Sequence, residues 1–162
     1  MHTKIEGAIA DRPSQPVTNL KDVARRHVHM IGIGGSGMSG AAALLRDLGA
    51  VVSGSDLVAF DGLGPLVQSG VRVSIGHHEA QLDAGVEWVV ASAAVPETNP
   101  ELSAARRRGL PVVKYAQLLG ELTTIRSAVT IAGTHGKSTT TGMSVHLFRQ
   151  AGLSPSFVIG AR

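Results

Sequence analysis

His27-Val28-His29-Met30-Ile31-Gly32-Ile33-Gly34-Gly35-Ser36-Gly37-Met38 is the stretch on which the reading of this sequence turns. A short apolar run meets a cluster of glycines, and Ser36–Leu48, rich in Ala and Leu, follows as a helix that stops at Gly49. Val28–Ile33 is therefore read as a strand. Strand, glycine loop and helix together are the context in which G-x-G-x-x-G carries meaning. Gly32 permits the tight turn, Gly34 lets a diphosphate approach the backbone, and Gly37 lets helix and strand pack closely. The free N–H groups and the dipole at the start of such a helix favour an anion. Gly32, Gly34, Gly35, Ser36, Gly37 and Met38 are thus the first candidate binding residues. The plainer alternative is that these glycines only make a tight strand–helix junction. Asp56 weighs against it, standing nineteen residues beyond Gly37 at the end of the next strand, where a carboxylate bonds ribose hydroxyls. The pattern does not by itself separate a nicotinamide dinucleotide from a nucleotide-sugar.

Downstream the alternation continues. Val51–Ser55 reads as a strand, Leu63–Ser69 as a weak helix ended by Gly70, and Val71–Ile75 and Glu87–Ala91 as two further strands. Asn99 caps a helix from Pro100 to Arg108, which Gly109 closes; Pro111–Val113 is a fifth strand and Tyr115–Leu122 a helix. Near-continuous apolar strands alternating with helices predict a Rossmann-like parallel sheet with helices on both faces over residues 27–122. Upstream, residues 1–26 are polar and carry two prolines, and they read as a flexible arm with a helical turn over 19–25.

After Thr123 the cycle restarts, with a strand over Ala128–Ala132, a helix over Lys137–Ala151 and another strand over Ser156–Ile159. Between the first two lies Gly133-Thr134-His135-Gly136-Lys137-Ser138-Thr139. Lys137 is placed to neutralise the β- and γ-phosphates of ATP, Ser138 to hold Mg²⁺, and the loop amides to cradle phosphate oxygens. The general phosphate-loop pattern asks for a glycine where this chain has Ile131, so the loop is a shorter variant. Residues 123–162 are accordingly expected to be the truncated beginning of a P-loop α/β ATPase domain.

Composition narrows the function classes. The chain has 162 residues, 43% hydrophobic and 17% charged, which builds a core and excludes a disordered segment. Lys+Arg 15 against Asp+Glu 12 gives a net charge of +3, and aromatics are 3%, so neither electrostatics nor stacking points to nucleic acid. The absence of cysteine removes disulfides, thiolate nucleophiles and zinc–thiolate sites together. No apolar run has the length of a secretory h-region or a membrane span, and the expected setting is cytoplasmic. His77-His78 before Glu79 lacks metal-ligand spacing, since adjacent side chains diverge. Arg106-Arg107-Arg108 ends a helix, where cations complement the dipole, and reads as a solvated face. Two phosphate loops in succession are the stronger constraint. A dehydrogenase has no use for the second, and a simple ATPase has no use for the first.

Gly32–Gly40, Ser53-Gly54-Ser55-Asp56, Pro96-Glu97-Thr98-Asn99-Pro100-Glu101 and Gly133–Thr139, taken together, resemble the Mur ligases. The resemblance runs from about His27 onward and includes the short G-T-x-G-K form of the second loop. It implies an ATP-dependent amide ligase of peptidoglycan precursor synthesis, joining L-alanine to UDP-N-acetylmuramate. ATP would convert the lactyl carboxylate to an acyl phosphate, which the amine of alanine then attacks. The resemblance places Gly32 to Met38 at the UDP-sugar diphosphate, Asp56 at the uridine end, His77 and Ser92 near the sugar, and Gly133 to Thr139 at ATP. Two positions depart from the family's usual pattern. Ser92-Ala93-Ala94 stands where Ser-Ser-Ala is usual, losing one hydroxyl, and Ser138 replaces the commoner threonine while keeping the Mg²⁺-binding hydroxyl. The expectation is a stretch that binds the UDP-sugar and lacks complete ligase activity. Set against it are a ligase that adds a preformed peptide to the same donor, a non-catalytic nucleotide-sugar module, and an NAD-dependent oxidoreductase.

Overall fold

Five parallel strands make one sheet in the computed structural model, which describes Leu20, residues 23–125 and residues 127–159. The strands are β1 (His27–Ile31), β2 (Val51–Asp56), β3 (Arg72–Ile75), β4 (Trp88–Ala91) and β5 (Val112–Lys114), in the spatial order β3-β2-β1-β4-β5. The helices are α1 (Met38–Asp47), α2 (Leu63–Gln68), α3 (Pro100–Arg107), α4 (Tyr115–Ile125) and α5 (Lys137–Gln150). Most of the expected arm lies outside the described residues, as do residues 19, 21 and 22 of its helical turn; Leu20 and Val23 are buried in the core.

Alternation along the strands fills both faces, as a parallel sheet requires. On one face Val28, Met30, Val52, Val90 and Val113 meet Met38, Ala41, Ala42 and Leu45 of α1 and Leu118 and Leu122 of α4. On the other, Ile31, Val89 and Ala91 meet Leu102, Ala104 and Ala105 of α3. The doubly covered parallel sheet is the architecture the sequence predicts. The small residues of α1 let that helix lie close over β1 and β2. Gly54 has the same use in the sheet itself: a Cβ there would come 2.5 Å from the Met30 carbonyl oxygen and 2.7 Å from Ile33 Cδ1.

Several boundaries differ from the expectation. Helix α1 begins at Met38 rather than Ser36, which leaves Ser36 and Gly37 in the loop, and α4 runs on to Ile125. A 3₁₀ turn at Glu79–Gln81 was not foreseen. The expected strands over 128–132 and 156–159 are not strands. Both segments lack regular structure, and among the described residues neither has a ladder partner, without which an apolar run is only an extended chain. Val158 instead approaches α1, its Cγ2 lying 3.5 Å from where a Cβ of Gly40 would sit.

Candidate functional site

Strand order reverses between β1 and β4, and in sheets of this kind the crevice beyond the carboxyl ends of such strands is where ligands bind. The loop after β1 enters that crevice. Gly32 turns the chain with φ +77°, a conformation that suits glycine, and its missing Cβ leaves room for Ser92 after β4. The Gly32 and Ile33 amides donate to the Ser55 carbonyl at 2.8 and 3.0 Å, and Gly34 N donates to Asp56 Oδ2 at 2.8 Å. Gly35 N donates to the Gly32 carbonyl and Met38 N to that of Gly35. The Ser36 and Gly37 amides find no acceptor among the described residues, and they open α1.

The structure changes what two of the glycines are for. The space over Gly34 is filled by the Phe60 ring and the Asp56 carboxylate, so its small size serves an internal contact as well as any approaching ligand. Gly37 makes room for the Tyr115 hydroxyl at the start of α4 rather than for a strand. Burial pushes the Tyr115 phenol up from its ordinary value of 10.0, keeping it neutral. Asp56 ties two loops together, since its side chain holds Gly34 and its carbonyl accepts from Gly76 N at 2.7 Å.

Beneath this edge lies a buried polar network that the sequence reading did not assemble. Asn99 caps α3, its Oδ1 accepting from the Glu101 and Leu102 amides at 2.9 and 3.0 Å, as expected of Asn before Pro. That cap sets Glu101, 0% exposed, in the first turn of α3 beneath the sheet. Glu101 Oε2 receives His29 Nε2 and the Ser55 hydroxyl, each at 2.7 Å. Oε1 receives His77 Nδ1 at 3.1 Å and His78 N at 3.2 Å. Gln81, in the amide orientation that satisfies both its ends, adds a donor at 2.9 Å. Burial pushes the Glu101 carboxyl up, but the hydrogen bonds from His29 and Ser55, with the His29 charge and His77, outweigh it and hold the pKa below its ordinary 4.5.

Ser53 Oγ bridges His27 Nε2 and His29 Nδ1, each at 2.9 Å. Burial, then the Arg72 guanidinium, lowers the His27 pKa from 6.5. The signal for this network was present as a period of two: His27 and His29 on β1 stand in register with Val51 and Ser53 on β2, and Ser55 follows Ser53 on the same face. His77 is therefore not a free side chain. Its Nδ1 faces Ser55 Oγ at 2.9 Å and Glu101, while Nε2 has no partner among the described residues and is open to solvent.

The second loop stands apart in character. Gly133 and Gly136 have φ of +157° and +78°, and α5 starts at Lys137. Lys137 Nζ donates to the Gly133 and Thr134 carbonyls at 2.7 and 3.1 Å, folding the cation over its own loop. Gly133, Thr134, His135, Gly136, Lys137, Ser138 and Thr139 are all exposed. No acceptor among the described residues stands on the Lys137, Ser138 and Thr139 amides. An anion cradle with a cation at its lip and a hydroxyl at the helix start fits a phosphate chain with its divalent ion.

Arg106, Arg107 and Arg108 are exposed, as expected of a solvated helix end, and each also has a local partner. Arg106 pairs with Glu97, Arg107 with Glu79 at 2.6 Å, and Arg108 donates to the Leu82, Asp83 and Ala84 carbonyls. Among the described residues no cluster of His, Asp and Glu is arranged to hold a metal ion, and no helix is long and apolar enough to cross a membrane.

Residues 27–126 match the profile of the Mur ligase family, catalytic domain. The chain belongs to the Mur ligase family. Its Mur ligase relatives include the UDP-N-acetylmuramate–L-alanine ligases of Acidovorax sp. (strain JS42), 50% identical over 139 residues, and of Dechloromonas aromatica (strain RCB), 48% identical over 137 residues. These matches cover 86% and 85% of this chain, and the chain spans 29% of the length of each relative. Among solved structures it is similar to a UDP-N-acetylmuramate:L-alanyl-γ-D-glutamyl-meso-diaminopimelate ligase from Neisseria meningitides. The TM-score is 0.77 and the identity 34%, over 86% of this chain and 44% of the other. The UDP-N-acetylmuramate–alanine ligase of Thermotoga maritima gives 0.72 at 28% identity, over 77% of this chain and 29% of that one. The Mur ligase fold thus accounts for the five-stranded sheet and the glycine loop at its edge.

Proposed function

We propose that this chain is the donor-binding portion of an ATP-dependent, ADP-forming ligase that joins L-alanine to UDP-N-acetylmuramate in the cytoplasm. The observation that carries the reading is the loop after β1, whose Ser36 and Gly37 amides stand open at the start of α1 in the switch-point crevice. Gly32, Gly34, Gly35, Ser36, Gly37 and Met38 would receive the diphosphate, with Asp56 towards the uridine and His77 and Ser92 towards the sugar. The relatives support the donor in particular. Their names differ in acceptor, L-alanine or a tripeptide, and share UDP-N-acetylmuramate. L-alanine is preferred as acceptor because the curated relatives at 48–50% identity are named as alanine ligases, although among the solved structures the tripeptide ligase, at 34%, stands above the alanine ligase, at 28%.

Residues 133–139 would hold ATP, with Lys137 leaving its carbonyls for the β- and γ-phosphates and Ser138 offering its hydroxyl to Mg²⁺. Bound there, ATP supplies the phosphoryl group that makes the lactyl carboxylate a competent acyl donor. Residues 123–162 would then belong to a second domain whose main task is that phosphoryl transfer. Calorimetric titration with UDP-N-acetylmuramate, Mg-ATP and NADH tests the reading. The UDP-sugar is expected to bind and NADH not to; NADH binding without UDP-sugar binding would replace the ligase by an oxidoreductase.

A further inference from the structure

Glu101 is buried more completely than any role on α3 requires, and its carboxylate gathers donors from β1, β2 and the loop after β3. Asn99 and Pro100 start the helix, and both are accounted for by capping. Glu101 is not: its side chain turns away from solvent, beneath the edge where the candidate site lies. Two of its partners lead to that site. Ser55 touches Glu101 through its hydroxyl, and its carbonyl holds the first two amides of the glycine loop. His77 touches Glu101 and Ser55 through Nδ1 alone, leaving Nε2 outward.

A neutral imidazole carries one proton and one lone pair, so a partner fixed at one nitrogen decides what the other can do. Here both neighbours of Nδ1 are oxygens. Glu101 is an ionised carboxylate, able only to accept, and the Ser55 hydrogen is directed at Oε2 of that same carboxylate. Nδ1 of His77 must therefore carry a proton. The ring is anchored from behind, and in the neutral form its one proton on Nδ1 leaves Nε2 as a lone pair that accepts a hydrogen bond.

We propose that Glu101 is a positioning residue of the donor site, holding His77 through Nδ1 so that Nε2 is presented as an acceptor to a hydroxyl or amide N–H of the UDP-sugar's sugar moiety. The inference rests on the donor-binding reading above. Glu101 does not touch the ligand; it acts through His77.

The test is a double-mutant cycle of Glu101→Gln and His77→Ala in the 162-residue chain, with UDP-N-acetylmuramate binding measured by calorimetry. Each single variant is expected to weaken binding about tenfold. Glu101→Gln should add less than about twofold in the His77→Ala background. Equal losses from Glu101→Gln in both backgrounds would overturn the proposal, because Glu101 would then act by another route. Unchanged affinity in His77→Ala would overturn it while leaving the donor reading standing. No binding by the wild type would overturn both.

A second readout needs no substitution. In ¹⁵N spectra of the wild-type histidine rings, His77 is expected to show a protonated Nδ1 before ligand is added, and the UDP-sugar should shift Nε2 more than Nδ1. A free chain with an unprotonated Nδ1 would contradict the proposal, whatever becomes of the variants.

Discussion

The same local grammar is written twice in this chain, and it comes to different ends. In residues 27–38 an apolar run, a glycine loop and a helix become the centre of a sheet: β1 has β2 on one side and β4 on the other, and α1 buries Met38, Ala41, Ala42 and Leu45. In residues 128–150 the apolar run has no ladder partner among the described residues, and α5 buries only Val145. Met143, Leu147 and Val129 stand exposed. A phosphate loop is thus a local property of glycine spacing and a helix start, whereas a packed site also needs neighbours that lock its side chains. The first loop has Ser55, Asp56 and Phe60 around it; the second has its own lysine folded across it.

The widest separation between the two regions is expected from Glu101→Ala. It removes the anion beneath His29 and His77 and should cost about 3–5 kcal/mol of unfolding free energy in urea denaturation. A loss under about 1 kcal/mol would mean the buried network does not stabilise the sheet. Next comes Gly54→Ala, whose new methyl meets the Met30 carbonyl, an atom of the backbone that has little freedom to move. Overpacking of that kind costs about 1–3 kcal/mol, and an unchanged denaturation midpoint would show that β1 and β2 yield there.

Acid should act on the first region too. The His27 pKa is lowered, so the unfolded chain binds more protons below its ordinary 6.5 and stability falls as pH drops beneath that value. The Glu101 pKa is lowered as well, and its contribution, present above 4.5, is lost as pH falls through the folded value. Thermal melts followed downward from neutral pH should therefore fall in two stages, the first beginning below 6.5 and the second below 4.5. Glu101→Gln should abolish the lower one, and a stage that persists in that variant belongs to other carboxylates. The smallest effect on stability is expected for Lys137→Ala, which touches only loop carbonyls. Melting temperature and UDP-sugar affinity should not move while Mg-ATP affinity falls; equal loss of both ligands would contradict the separation of the two loops.

Much of the sheet was legible because its signals are local. Glycines at 49, 70 and 109 end helices or their turns, Asn99 announces a cap, and the apolar strands mark themselves as buried on both sides. The strands foreseen near 130 and 157 show the limit, since an apolar run specifies burial but not a partner. The site was legible in part. The glycine loop, Asp56 and Ser92 do meet at one edge. The attachment of His77 to Glu101 joins positions far apart in sequence, and no local pattern encodes such a contact. Phe60 over Gly34 and Tyr115 over Gly37 were missed for the same reason.

Residue-resolved amide hydrogen exchange, with and without UDP-N-acetylmuramate, tests most directly the claim that the first glycine loop, and not the second, receives the donor's diphosphate. Added ligand should slow exchange at Ser36 and Gly37 and leave Thr134 to Thr139 unchanged. Protection appearing in the second loop with none in the first would contradict it.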